Sequence, residues 1–301
     1  MQHRGVTKWI AGLLSAAMVL GGIPVSPVTE AQAKDKTETL SYKGYTKVWE
    51  DNFDGDFLNM KDWNIETHEP GWVNAELQEY TESGNYTVKD GTLTIIPKKT
   101  QNADGTYSYS SARINTQNKH DFKYGIMEAK MKFPKGQGYL PAFWMMPTDE
   151  NFYGQWPKCG EIDIAEVMGQ DTKKLYGTIH YGEPHAQSQG TEVLKKGDFS
   201  DEWHTCAVEW EPGSIKWYVD GRLYHEEHSW YSKTTGQGEV TYPAPFDQNF
   251  YLILNLAVGG SWVGYPDETT SFDSSFQVDY VRVYQKKNYN ENVKKPVKKV
   301  V

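Results

Sequence analysis

Residues Ile215 to Glu227 read IKWYVDGRLYHEE, two alternating runs on either side of Asp220-Gly221. Alternation with a period of two is the pattern of a half-buried strand. Asp-Gly is a pair favoured by a two-residue type I′ turn, because both central residues must adopt positive φ. The segment therefore predicts an antiparallel hairpin. Working outward, the same alternation recurs in Gly91 to Pro97 (GTLTIIP), Ile126 to Phe133 (IMEAKMKF), Thr205 to Trp210 (TCAVEW) and Gln277 to Tyr284 (QVDYVRVY). No stretch of a dozen residues between the chain ends carries helical periodicity. Many short strands, frequent Gly, Asp and Asn turns and no repeat period predict an all-β chain, one β-sandwich or jelly roll of about 200–250 residues.

The chain has 301 residues, 38% hydrophobic and 24% charged, with a mean hydropathy of −0.70. That is neither a membrane bundle nor a disordered polymer. Aromatic residues make up 14%, a load that suits strands and also flat apolar ligands such as sugar rings. A net charge of −9 and a pI near 5.4 argue against nucleic acid as a partner. Two cysteines are too few for a disulfide scaffold or a Cys-rich zinc site.

The ends read differently from the body. Arg4 and Lys8 precede an apolar stretch, Trp9 to Val25, and Ala31-Gln32-Ala33 offers small residues for cleavage. Residues 1–33 are expected to be a secretory signal peptide, and the protein to be secreted. Gly21-Gly22 and Pro24 break the stretch, which is shorter than the roughly 20 residues of a membrane span, so no membrane span is expected. Residues 34–44 form an N-terminal segment and 45–285 the jelly-roll domain. Residues 286–301 (KKNYNENVKKPVKKVV) are basic and read as a flexible tail, either merely solvated or giving loose association with anionic cell-wall polymers.

The chemistry points to Gly160 to Met168, GEIDIAEVM. On a strand, Glu161 and Asp163 share one face while Ile162 and Ile164 fill the other. Glu166 then falls on the wrong side, unless one inserted residue, a β-bulge, turns it back. Four strand steps separate the two glutamate backbones by roughly 13 Å. Two side chains leaning together close this to roughly 5–6 Å, near the pair spacing of about 5–5.5 Å in retaining glycosidases. Asp163 between them would disfavour a second nearby charge and help keep Glu166 protonated. Three like charges on one strand face repel, which argues against an ordinary solvated face.

This segment resembles the E-x-D-x-x-E signature of glycoside hydrolase family 16, the laminarinase-type endo-β-1,3(4)-glucanases. Gly71 to Thr81 (GWVNAELQEYT), Leu140 to Pro147 (LPAFWMMP), Tyr176 to His180 (YGTIH), Trp203 to Trp210 (WHTCAVEW), Phe250 to Gly264 (FYLILNLAVGGSWVG) and Val278 to Gln285 (VDYVRVYQ) fit the same family in order. The resemblance implies two curved antiparallel sheets with a concave substrate cleft. It implies Glu161 as nucleophile, Asp163 as electrostatic helper and Glu166 as general acid/base. It also implies sugar contacts from Asn74, Glu76, Arg113, Trp144, Trp156 and Trp262, and from His180 near the acid/base. A structural calcium on the far sheet would take the carbonyls of Asn52 and Gly91 and the carboxylate of Asp279; no catalytic cofactor is implied.

The function so implied is a retaining endo-β-glucanase cutting internal β-1,3 or mixed β-1,3-1,4 linkages, working as a monomer on β-glucan. A strict mixed-linkage lichenase, a transglycosylase and a non-catalytic β-glucan-recognition module of the same fold are the alternatives. Retention of all three carboxylates weighs against the last, and the six-residue motif against the strict lichenases, which typically have E-x-D-x-E. His225 and His228 are not a metal pair, because a three-residue offset on a strand sends them to opposite faces. Whether Cys159 and Cys206 pair stays open, and Asn85-Tyr86-Thr87 is a glycosylation sequon.

Overall fold

The computed structural model describes residues 38–234 and 238–297. The expected signal peptide at 1–33 and the last four residues of the tail lie outside these. Twenty-one strands and no helix occur among the described residues. In chain order they begin β1 (Tyr45–Asp51), β2 (Asn64–Glu66), β3 (Gln78–Tyr80), β4 (Tyr86–Lys89), β5 (Thr92–Ile95), β6 (Lys98–Gln101) and β7 (Tyr107–Ser111). There follow β8 (Arg113–Asn115), β9 (Asp121–Phe122), β10 (Gly125–Lys132), β11 (Tyr139–Pro147), β12 (Glu161–Glu166), β13 (Lys174–Tyr181) and β14 (Ala186–Val193). The last are β15 (His204–Glu211), β16 (Ser214–Val219), β17 (Arg222–Glu227), β18 (Ser232–Thr234), β19 (Gly238–Val240), β20 (Phe250–Val258) and β21 (Phe276–Lys286).

Two eight-stranded sheets make the sandwich. One runs β17-β16-β15-β10-β21-β5-β4 with β1 added on β21; the other runs β14-β13-β12-β11-β20-β8-β2 with β9 added on β20. Every pairing inside these two sheets is antiparallel. The architecture is the expected jelly roll. The expected hairpin joins β16 to β17: Val219 pairs with Arg222, and Asp220 and Gly221 both take positive φ, 49° and 74°. The core between the sheets holds Trp63, Phe133, Phe143, Trp210, Trp217 and Trp230, all but sealed from solvent. Burying such large side chains contributes about 1.5–3 kcal/mol each.

The first and last of these strands, β1 and β21, pair with each other, Tyr45 opposite Lys286, and Thr39 before them bridges to Arg222. The first part of the basic tail lies against the body. The Tyr289 ring lies tilted against that of Tyr124 with centroids 5.2 Å apart, Lys123 pairs with Glu291 at 2.9 Å, and Lys286 pairs with Glu211. Cys159 and Cys206 are free thiols buried in separate clusters. Asn85 is 3% exposed and donates its amide to the Ile96 carbonyl at 2.8 Å, so its side chain is not available to a glycan.

Candidate active site

The register of β12 shows how its carboxylates are aimed. Asp163 pairs with Trp144 on β11 while Ala165 pairs with Phe143, so two steps on β12 match one on its neighbour. On the other side, Glu161 faces His180 and Glu166 faces Tyr176, four steps apart on β13 although five apart on β12. One extra residue, at Ile164-Ala165, is the inferred bulge. Ile162, Ile164 and Ala165 all enter the core, and Glu161, Asp163 and Glu166 all line one cleft with Asn74, Glu76, Arg113, Trp144 and Asn255. Without the bulge, Ala165 would take the outward position and Glu166 would be buried between the sheets.

Aromatic rings rim the opening. Trp72, Trp156 and Trp262 are each nearly half exposed, and a cavity of about 440 Å³ runs past Trp72, Arg113, Trp144, Trp156 and Glu161. The Trp156 indole N–H donates to Glu161 Oε2 at 2.5 Å. Trp262 meets the ring of Tyr176, the neighbour of Glu166, edge-on at 5.3 Å. Trp144 donates its N–H to Asn255 Oδ1 at 2.7 Å, and the Arg113 guanidinium lies 4.7 Å from its ring. Arg113 is itself held by Glu66 at 2.8 Å. Beneath the cleft, Asn255 donates to the Tyr80 hydroxyl at 3.0 Å, and Glu76 accepts from Gln78 at 2.7 Å and Asn74 at 3.3 Å. Glu76 is therefore a buried, hydrogen-bonded group of the wall, and Arg113 a buried, ion-paired one whose Nε has no aligned hydrogen bond. Asn74, with φ at 51°, turns the chain there, and its carbonyl accepts from the Ser261 N–H at 2.8 Å.

The electrostatics follow from crowding three acids into a poorly hydrated place. Burial, then the Asp163 charge, pushes Glu161 up to about 8. Burial raises Asp163 to about 7. Glu166 stands well above the usual carboxylate range, through burial and then the charges of Asp163 and Glu161. Like charges crowded on one poorly hydrated wall oppose ionisation, which favours a Glu166 that keeps its proton, as a general acid must. Because each folded-state value lies above its unfolded one, the folded cluster binds protons that the unfolded chain releases, and its contribution to stability falls as pH rises above about 4.5. Glu161→Gln removes one such group. Its Tm is expected to match the wild type near pH 4.5 and exceed it by several degrees near pH 8, about 1–3 kcal/mol. Thermal melts across that range check it; a gap that does not grow with pH would refute the charge crowding.

The remaining predicted residues fall in three places. His180 stands beside the Glu161 and Asp163 end, its Nε2 3.4 Å from Asp163 Oδ2 and its Nδ1 2.9 Å from His185 Nε2. The sequence reading put it near the acid/base; antiparallel pairing gives that place to Tyr176 instead. On the opposite sheet, the Asn52 carbonyl lies 3.9 Å from where a Gly91 Cβ would be, but the Asp279 carboxylate is held by Lys130 at 2.6 Å. A calcium there would have to displace that ammonium group, so the donor set fits the ion only in part. His225 packs on Trp217 and His228 lies by Glu226 and Gly213, as separate as their offset implied. The sequence reading missed Trp72, Tyr80, Tyr176 and Asn255. All four lie inside the stretches that carry the family resemblance, Trp72 and Tyr80 in 71–81, Tyr176 in 176–180 and Asn255 in 250–264, and that membership is the signal that could have found them.

Comparison with known proteins agrees with this geometry. The family model "Glycosyl hydrolases family 16" matches residues 74–282. A glucan endo-1,3-beta-glucosidase A1 from Niallia circulans is 40% identical over 80% of this chain, which spans 38% of that relative's length. A glucan endo-1,3-beta-glucosidase from Cryptopygus antarcticus is 37% identical over 78% of this chain and 90% of its own. The laminarinase catalytic domain from Thermotoga maritima superposes with a TM-score of 0.68 at 38% identity, covering 81% of this chain and 99% of that one.

Proposed function

We propose, from the premise that this chain belongs to glycoside hydrolase family 16, that it is a retaining endo-β-glucanase hydrolysing internal β-1,3 or mixed β-1,3-1,4 linkages. Membership makes it a glycoside hydrolase, and the relatives named above, endo-1,3-β-glucosidases and a laminarinase, support the linkage. One observation carries the mechanism: the bulge at Ile164-Ala165 places Glu161 and Glu166 four strand steps apart on one cleft wall. At roughly 3.3 Å per step, side chains that lean together come within the range for a covalent intermediate. Glu161, receiving the Trp156 N–H, attacks the anomeric carbon as Glu166 gives its proton to the departing oxygen. Glu166 then takes a proton from a water whose oxygen bonds the anomeric carbon as the ester to Glu161 breaks, which frees that carboxylate and releases the sugar with its configuration kept. Asp163, almost fully buried between them, biases where the charge sits.

In the same reading the protein is a secreted monomer whose partner is β-glucan, and a structural calcium would be held weakly, because it must displace Lys130 from Asp279. No helix among the described residues is long and apolar enough to cross a membrane. Proton NMR of fresh laminarin digests tests the mechanism, with lichenan, barley β-glucan and agarose in parallel. The β-anomer is expected to appear first, from laminarin or a mixed-linkage glucan. Initial α-anomer, or cleavage of agarose alone, would overturn the reading.

A further inference from the structure

We propose that Trp217 is a positioning residue for the catalytic strand, its indole N–H pinning the Asp163 carbonyl through the opening left by Gly177 and so holding the bulge that aims Glu166. The inference rests on the retaining reading above. Trp217 belongs to β16, in the sheet that carries none of the acids, and is completely buried. Its Nε1 donates to the Asp163 carbonyl oxygen at 2.8 Å. Two stacked sheets lie about 10 Å apart and mostly meet through apolar side chains. Here a directional bond crosses that gap and ends on the peptide just before the extra residue.

The neighbouring residues keep the indole where it is. Gly177 on β13 lies between Thr178, the partner of Asp163, and Tyr176, the partner of Glu166, directly beside the bulge. A Cβ at that position would stand 2.4 Å from Trp217 Cδ1 and 2.3 Å from the Tyr224 hydroxyl. Only glycine leaves room for the ring. The His225 imidazole stacks against Trp217 with centroids 4.7 Å apart, supporting it from β17.

A bulge interrupts the ladder, and its extra residue can be accommodated at more than one place along a strand. Shifting it beyond Glu166 would turn that carboxyl toward the core. A hydrogen bond on the Asp163 carbonyl favours the observed placement. Losing it takes one hydrogen bond from a buried acceptor, an effect on the order of tenfold in the population of the aligned state.

The test replaces the N–H without changing the ring. Incorporation of β-(3-benzothienyl)alanine at position 217 puts sulfur where the N–H was, and Trp217→Phe is the coarser second variant. In the full chain, kcat on laminarin is expected to fall about tenfold with KM within about twofold, since Trp217 stays away from the sugar. In parallel, ¹³C NMR of labelled carboxyl groups should show the Glu166 titration moving toward the ordinary carboxylate range, as its packing loosens. A folded isostere with wild-type kcat overturns the proposal, as does a loss of kcat that leaves the Glu166 titration unmoved. If the wild type cleaves no glucan with retention, the functional reading falls instead, and the NMR titration still decides for or against the pin.

Discussion

Glu161→Gln is expected to lower turnover on laminarin by at least about 10³-fold while the protein folds as before. The amide has the shape of the carboxylate, and its oxygen can still accept the Trp156 N–H that Glu161 receives at 2.5 Å. What it lacks is the charge and the ability to form an ester with the anomeric carbon. The wall of the cleft is untouched, because Trp144 stays tied to Asn255 and Arg113 to Glu66. KM should therefore change little while kcat collapses, the pattern of an interaction made only in the transition state. Steady-state rates with circular dichroism on the same preparation check both halves. A folded variant keeping more than a few per cent of activity would show that the attacking group is elsewhere.

Glu166→Ala should cost about 10²–10⁴-fold with natural glucans, the usual weight of one proton-transfer group. With a substrate whose leaving group needs no protonation, the first step survives and the glycosyl-enzyme accumulates. Azide can then attack that intermediate without a base. The product should be the β-glycosyl azide, because Glu161 still occupies the α face and the anion arrives from the other. In Glu161→Ala the same anion would take the nucleophile's place and give the α-azide. The two anomers, read by NMR coupling constants, separate the roles of two carboxylates that share one strand. An α-azide from the Glu166 variant would reverse the assignment. A complete lack of rescue with an unchanged pH profile would remove Glu166 from the mechanism.

Much of this was determined by the sequence alone, wherever the cause was local. The Asp220-Gly221 turn needs two positive φ values, and those residues supply them at low cost wherever they sit. The bulge was legible because strand parity is strict: Glu161 and Asp163 share a face, so Glu166 could join them only through an added residue. The acidic motif and the series of stretches around it carried the family resemblance.

Only the tertiary structure decided what depends on register and on partners far along the chain. Parity says that a side chain points in or out; it does not say which residue of another strand stands beside it. Pairing of β12 with β13 put Tyr176, and not His180, next to Glu166. Pairing of β20 with β8 and β11 brought Asn255 to Trp144, and Arg113 lies over the same ring. Packing of the two sheets tucked the sequon residue Asn85 away and left the two cysteines in different clusters. It also drove the Trp217 indole against Gly177 and onto the Asp163 carbonyl, a contact across 54 residues of sequence. Local conformational preference operates over a few residues. The position of a hydrogen bond across the sandwich depends on the volume of every side chain packed between the sheets, and that sum exists only in the folded molecule.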